Sequence, residues 1–445
     1  MPAGPFFPRS PGYITLMVIA AIIAGSASVQ AGQLPSTHSA HRALADRLLT
    51  AVERLADPGT GLAPSYLGDQ SDVARYGAQI YDTGLRLLAD SRHSPAIIAT
   101  FAAGHAGEGR PGKPQTLAAA FSPAGGIFSW IRIGGFAEPR WWNDWEWSVK
   151  AGENAWLGLG ALHMFRRTGD FLALEVATAR ADFLLALQDD DGGIRIGPRG
   201  LAEEYWWRRK SSENNESAIA FLDALAGETG ETRYREAADR AYGWLVAEMY
   251  DHDRHLFRRG GVEEEGGWRW DDMKVFAADT VNWLPVTRIL RDPRFGADRP
   301  GRLAEVERMV WAMLDLCGVR DNGVLKGVSY SSLSQAGSVI SLEWSAQYAL
   351  LCRRLSSEFE QVGNHGRSAY WRDRSAEILS QLIGYIADQD GEAAAPHAVF
   401  ADGRVAAGAP MWDGIVLTPS ASLSSASHLY LAFALRGIDP LRMAD

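Results

Sequence analysis

Two kinds of helical pattern alternate along the chain. In the first, apolar residues recur at helical spacing with charges between them: RALADRLLTAVERLA, FLALEVATARADFLLALQ, YREAADRAYGWLVAEM, LAEVERMVWAMLDL and YWRDRSAEILSQLIGYIA. These predict helices with one buried face. The second kind is rich in small residues and apolar nearly all round: IYDTGLRLLA, ENAWLGLGALHMF, ENNESAIAFLDALAG, ADTVNWLPVTRIL, LEWSAQYALL and SASLSSASHLYLAFAL. Such helices are packed on both sides. Strand patterns are scarce. The turns DDDGGIRIG, RRGGVEEEGG and DQDGEAAA could hold short hairpins.

The alternation has a period. A carboxylate recurs at or just before each apolar helix, at Asp82, Glu153, Glu213, Asp279, Glu343 and, in the loop before the sixth, Asp413. The intervals are 71, 60, 66, 64 and 70 residues. Repeats of this length signal an array of supersecondary units. Six helix pairs predict an all-α closed ring, an (α/α)6 toroid with apolar helices inside and amphipathic helices outside. Closure is favoured over an open solenoid because the terminal repeats lack polar capping faces. No Pro- or Ser-rich linker interrupts residues 35–445, which read as one domain.

The chain resembles the six-hairpin glycosidases, the (α/α)6-toroid superfamily. The hairpin count, the helix–turn–helix units ENAWLGLGALHMFRRTGD and SENNESAIAFLDALAGETGETRY, and SLEWSAQYALL carry the resemblance. It covers nearly the whole chain after the leader, and no particular family within the superfamily is assigned. It implies a funnel lined by the inner-helix starts, where acidic residues act on glycosidic bonds.

The funnel also follows from physics. Parallel inner helices bring their N-termini to one mouth, where N–H groups and positive dipole ends favour carboxylates. Any single acid there could be only a cap. Several acids converging in a partly apolar cleft raise one another's pKa, as general acid catalysis requires.

The stretch RWWNDWEWSVKAGENAW puts Trp141, Trp142, Asp144 and Glu146 in the loop before the inner helix at Glu153. Tryptophans beside acids suit a sugar-stacking wall, although they could equally pack beneath the loop. SSENNES sets Glu213, Asn214 and Asn215 in a first turn, with Ser211 or Ser212 as its cap. Tyr205, Trp206 and Trp207 stand upstream as a second aromatic wall. Glu343, Trp344 and Gln347 share an inner-helix start, and polar groups there are costly unless they face a polar cavity. Asp279 with Asn282 and Trp283, Tyr81 with Asp82, and Trp412 with Asp413 complete the ring. The acid/base pair is drawn from Glu213, Glu343, Asp144 and Asp82, with Glu213 preferred as general acid because aromatic surroundings would raise its pKa. The other named acids, amides and aromatics are expected to bind substrate.

Composition narrows the field. Sixteen tryptophans in 445 residues mildly favour a glycan ligand. A net charge of −10 disfavours a nucleic-acid partner. Residues 1–31 read as a secretory signal, with Arg9 ahead of a short apolar run and Val29 and Ala31 at the cleavage positions. No later segment predicts a membrane span, so an exported protein is expected, periplasmic or extracellular, of undetermined oligomeric state. Cys317 and Cys352 lie in apolar helical patterns and read as buried thiols. HDRH at 252–255 is a weak metal signal, and no metal or cofactor is expected. LQDDDGG is superficially similar to acidic motifs of α-toroid terpene cyclases but ends an outer helix and reads as a turn. No GxSxG, Walker or HExxH motif occurs, and no dinucleotide fingerprint is read in a strand–turn–helix setting.

Three functions fit. The first is a glycoside hydrolase using paired carboxylates on a carbohydrate substrate. The second is a toroid-type polysaccharide lyase, for which Tyr205, Asn214, Asn215, Arg208 and Arg209 could supply base and neutraliser. The third is a non-catalytic glycan-binding or exopolysaccharide-assembly protein. A sugar epimerase fits less well, because such enzymes resemble one another in using inner-helix histidines. Here the inner helices offer only His163 and His428.

Overall fold

The structure is a computed structural model. It describes residues 37–67, 76–105, 125–133, 148–201, 204–283, 288–332, 339–389, 391–406 and 423–442. Twelve α-helices lie in this part: α1 (Thr37–Glu53), α2 (Ile80–Leu88), α3 (Ser94–His105), α4 (Ala151–Thr168), α5 (Phe171–Ala186), α6 (Ser212–Thr229), α7 (Thr232–Trp244), α8 (Asp279–Asn282), α9 (Arg299–Cys317), α10 (Leu342–Gln361), α11 (His365–Ile383) and α12 (Ser425–Arg436). The even-numbered helices form the inner ring. Each packs on the next, α2 on α4, then α6, α8, α10 and α12, and α12 returns to α2. The odd-numbered helices pack outside them. This is the (α/α)6 toroid that the period predicted. The antiparallel pairing of Tyr66–Leu67 with Leu423–Ser424 fastens the two ends of the ring together.

Small residues let the inner helices close up. A Cβ at Gly84 would lie 2.6 Å from the Trp156 backbone, and one at Gly160 would lie 2.6 Å from the Gly84 carbonyl. Helices α2 and α4 therefore touch backbone to backbone, and α4 meets α6 where Gly158 accommodates the Phe221 ring. Trp156, only 1% exposed, fills the ring axis. Its ring meets Tyr81 of α2, Trp283 and Tyr430 of α12 edge-on at 5.5, 5.3 and 6.3 Å, and its Nε1 donates to Ser217 of α6 at 3.1 Å.

Short strands lead into several inner helices, with serine caps at the junction. Ser211 accepts from the N–H of Asn214 at 3.1 Å, Ser341 from Trp344 at 3.1 Å and Ser424 from Ser427 at 3.4 Å. Four residues past the cap, a polar side chain ties each helix to the strand or loop beside it. Asn154 brackets the peptide groups of Ile127, Asn215 those of Ile194, Ser345 those of Val328, and His428 accepts from Ala395. The Gly-rich turns do form hairpins at 260–264/267–270 and 387–389/392–394. DDDGG is a turn whose Asp189 and Asp191 hold Lys210 and Arg195.

Two expectations need correction. Among its described residues, ADTVNWLPVTRIL is α-helical over Asp279–Asn282 alone, with a short 3-10 turn at Ile289–Arg291. Pro285, within that stretch, has no N–H to donate to a helix. The sixth inner helix begins at Ser425 and not at the first serine of SASLSS. Both cysteines are buried and free, as expected. No described helix is long and apolar enough to cross a membrane. Residues 1–31, expected to be a leader, lie outside the described residues.

Candidate functional site

The first turns of five inner helices bring carboxylates together at the mouth of the ring. Asp82 stands on α2, Glu153 on α4, Glu213 and Glu216 on α6, Asp279 on α8 and Glu343 on α10. Their mutual electrostatics place them in one cluster. Burial pushes Asp82 up to about 7, and the Glu153 charge adds to this against a hydrogen bond from Ser65 and the nearby Arg86. Burial likewise pushes Glu213 up to about 7, with Glu153 raising it further and Lys150 pulling it down. Glu343 reaches about 8, driven by burial and by the charges of Asp82 and Glu213, against the hydrogen bond from Tyr81. Asp279 and Glu216 are held well above the carboxylate range, first by burial. The charges of Glu213 and Glu343 then raise Asp279, and those of Asp279 and Glu213 raise Glu216. These are the two classical causes of a raised carboxyl pKa, desolvation and like charge.

Individual contacts define the geometry. Tyr81 Oη donates to Glu343 Oε1 at 2.6 Å, and Gln347 Nε2 donates to the same oxygen at 3.3 Å. Glu213 Oε2 accepts from Asn214 Nδ2 at 2.7 Å. Asn214 Oδ1 in turn accepts from the Gly152 N–H at 2.6 Å, locking the starts of α4 and α6. A Cβ at Gly152 would sit 2.8 Å from that oxygen and 3.2 Å from Glu213 Oε1, so only glycine leaves the carboxylate its place. Glu153 forms an ion pair with Lys150 at 2.8 Å, and Lys150 stands 5.2 Å over the Trp206 ring. Among the described residues, Glu153 Oε2, both Glu216 oxygens, Asp279 Oδ1, Asn282 Oδ1, Trp283 Nε1 and Gln347 Oε1 are buried without a partner. Trp156, Tyr81, Trp283 and Tyr430 make the aromatic floor beneath the acids. Tyr66, Trp130, Tyr330, Trp344 and His397 form an aromatic chain in which Tyr66 stacks on Trp130 at 6.1 Å and Tyr330 meets Trp344 at 5.1 Å.

The structure thus gathers Asp82, Glu153, Glu213, Asp279, Glu343 and Gln347, with Trp283 and Trp344 beside them. Asn214 is a positioning residue for Glu213. Asn215 spends its amide on Ile194 and on the Ser211 carbonyl. Trp207 lies between the guanidinium groups of Arg195 at 4.3 Å and Arg199 at 4.7 Å, and Tyr205 stacks under Arg209 at 3.6 Å. Trp206 is the member of that aromatic trio that reaches Lys150. Trp141, Trp142, Asp144, Glu146, Trp412 and Asp413 lie outside the described residues. Sequence reasoning did not single out Glu216, Lys150 or Trp156. Glu216 could have been found, since three residues past Glu213 it shares that helix face. His255, from the HDRH turn, bonds Glu305 at 2.7 Å.

Solved structures share this architecture. An inactive variant of an α-1,6-mannanase of glycoside hydrolase family 76 from Salegentibacter sp. HEL1_6, in complex with α-1,6-mannotetrose, aligns with a TM-score of 0.54 and 14% identity over 89% of this chain and 98% of that one. A sugar epimerase from a ruminal bacterium gives 0.59 at 12% identity over 91% and 100%. An unsaturated glucuronyl hydrolase specific for heparin gives 0.58 at 13% over 90% and 96%. The chain therefore has the fold of the six-hairpin glycosidase superfamily. No protein-family model and no curated relative matches it.

Proposed function

We propose that the protein is an exported glycoside hydrolase acting on an oligo- or polysaccharide, with Glu213 as the proton donor. The observation that carries this reading is the convergence of six carboxyls from five inner helices over an aromatic floor. Glycosidic cleavage needs a protonated carboxyl on the leaving oxygen and an ionised one nearby, two roles that differing environments can impose on neighbouring acids. Glu213, buried and pushed up to about 7, holds a proton in a useful share of molecules at neutral pH. Glu153, in its ion pair with Lys150, supplies the negative charge that raises Glu213, and serves as the ionised partner. Glu343, Asp82 and Asp279 bind sugar hydroxyls from the other side of the bowl. The apolar C–H face of a sugar ring is matched by the Trp344 and Tyr330 rings.

The lyase reading loses support because its parts are engaged elsewhere. Asn215 is spent on Ile194, Arg208 on the Glu263 carbonyl and Arg209 on Tyr205. The mannanase variant that binds mannotetrose is inactive through replacement of two consecutive aspartates. No inner-helix start here carries such a pair, so α-1,6-mannan is one substrate to test among several. The test is incubation of the protein with bacterial exopolysaccharides, mannans and plant glycans. New reducing ends without rising ultraviolet absorbance are expected. Absorbance from unsaturated products would establish a lyase, and binding with no product would establish a lectin-like role.

A further inference from the structure

At the opposite end of the ring lies a cavity of about 1170 Å³ whose chemistry is the reverse of the acidic mouth. Its walls include Asp223 and Gly227 of α6, and Glu358 and Gln361 of α10. Asp223 is ten residues along α6 from Glu213, and Glu358 fifteen along α10 from Glu343. That spacing corresponds to roughly 15 and 22 Å of helix, so the two sites do not overlap. The cavity borders the segment where α8 stops after one turn and the chain continues through Arg288–Arg302.

Eight arginines and four carboxylates line this space, and Glu228 behind it pairs with Arg166 at 2.6 Å, which leaves an excess of three positive charges in a chain whose net charge is −10. The carboxylates are shared. Asp223 takes two bonds from Arg288, at 2.7 and 2.5 Å, and a longer one of 3.4 Å from Arg235. Glu358 is contacted by both Arg299 and Arg442. Among the described residues, Arg302 donates to two neutral carbonyls, those of Leu290 at 2.8 Å and Gly296 at 2.9 Å. Arg291 is exposed. Clustered guanidinium groups repel one another unless anions compensate them, and their planar forks fit carboxylate, phosphate and sulfate groups. The volume exceeds that of most small-molecule pockets and admits several sugar-sized units.

We propose that this cavity is an anion-binding site that takes oxyanion groups, and that a glycan bearing carboxylate, sulfate or phosphate substituents is held there apart from the acidic bowl. This inference stands on the cavity alone and does not require the hydrolase reading.

The test is calorimetric titration of the full chain at low salt with oligogalacturonate, inorganic phosphate and a neutral manno-oligosaccharide, repeated for the double variant Arg235→Gln/Arg291→Gln. Both side chains are exposed at the cavity rim and neither touches the bowl, so the variant should melt like wild type and keep any hydrolytic activity. Oligogalacturonate should bind, weaken steeply with added salt, and bind the variant at least tenfold more weakly. Affinity for the oligomer more than tenfold above that for phosphate identifies a polymeric anion as ligand. Equal affinities identify a small oxyanion and overturn the glycan assignment. Equal binding of the neutral oligosaccharide, unchanged binding by the folded variant, or no anion binding at low salt would overturn it.

Discussion

At the residue scale, the carboxyls at the mouth differ in what surrounds them. Glu213 has an amide and a neighbouring negative charge, whereas Glu153 has a lysine at 2.8 Å. If Glu213 is the proton donor, kcat/KM should fall as pH rises through about 7, where the free enzyme loses that proton. Lys150 pulls the Glu213 pKa down, so Lys150→Met should move the alkaline limb of the pH–rate profile to higher pH. An unmoved limb would detach Lys150 from the acid. The first-turn acids were legible in the sequence because a carboxylate at an apolar helix start is an anomaly that the pattern exposes. Trp156 was not legible. Nothing in ENAWLGLG distinguishes a tryptophan on the ring axis from one facing an outer helix, and only closure of the ring decides it.

At the element scale, the inner helices are set by close contact and by polar ties. Gly84 and Gly160 let α2 and α4 touch, and Gly84→Ala would force a Cβ to within 2.6 Å of the Trp156 backbone. Overpacking of this kind costs about 1–3 kcal/mol, which urea denaturation would read as a lower midpoint. Asn215→Ala would strand the buried Ile194 N–H and carbonyl, at a cost of about 1–3 kcal/mol in the same measurement. The polar residue four past each cap, at Asn154, Asn215, Ser345 and His428, is a second repeat that chemistry disguises. An amide, a hydroxyl and an imidazole perform one task, so residue identity does not reveal it. The outer helix α3 also escaped the pattern. Its sequence SPAIIATFAAGH has no charged residue before its terminal histidine, so no polar face marks it as outer. Helix α8 was over-read because the apolar run continues past the residues that form the helix.

At the scale of the whole molecule, period and ring closure were readable because five similar intervals leave few ways to bury six apolar helices. The cationic cavity was not readable. Its arginines come from α4 (Arg166), α7 (Arg235), the 288–302 segment and Arg442 beyond α12, each ordinary in its own stretch of sequence. The acidic cluster also shapes global stability. Asp82, Glu213 and Glu343 have ordinary values of 3.8, 4.5 and 4.5 and are raised to about 7, 7 and 8 in the fold. The folded state therefore binds these protons more tightly than the unfolded chain. The stabilisation is complete below the ordinary values and is lost as pH rises through about 7 to 8. Thermal melting should thus occur at lower temperature at pH 9 than at pH 5.5, and Glu343→Gln, which cannot ionise, should flatten that dependence. A melting temperature that rises across this window would mean that the acids are not mutually buried.

The most direct measurement compares Glu213→Gln with wild type on a glycan that the wild type degrades, following turnover and binding on the same samples. The account predicts that product formation falls by at least about a thousandfold, on the scale of losing a general acid together with the electrostatics it organises, while glycan affinity stays within a few-fold. Turnover at the wild-type rate by the folded variant would contradict it.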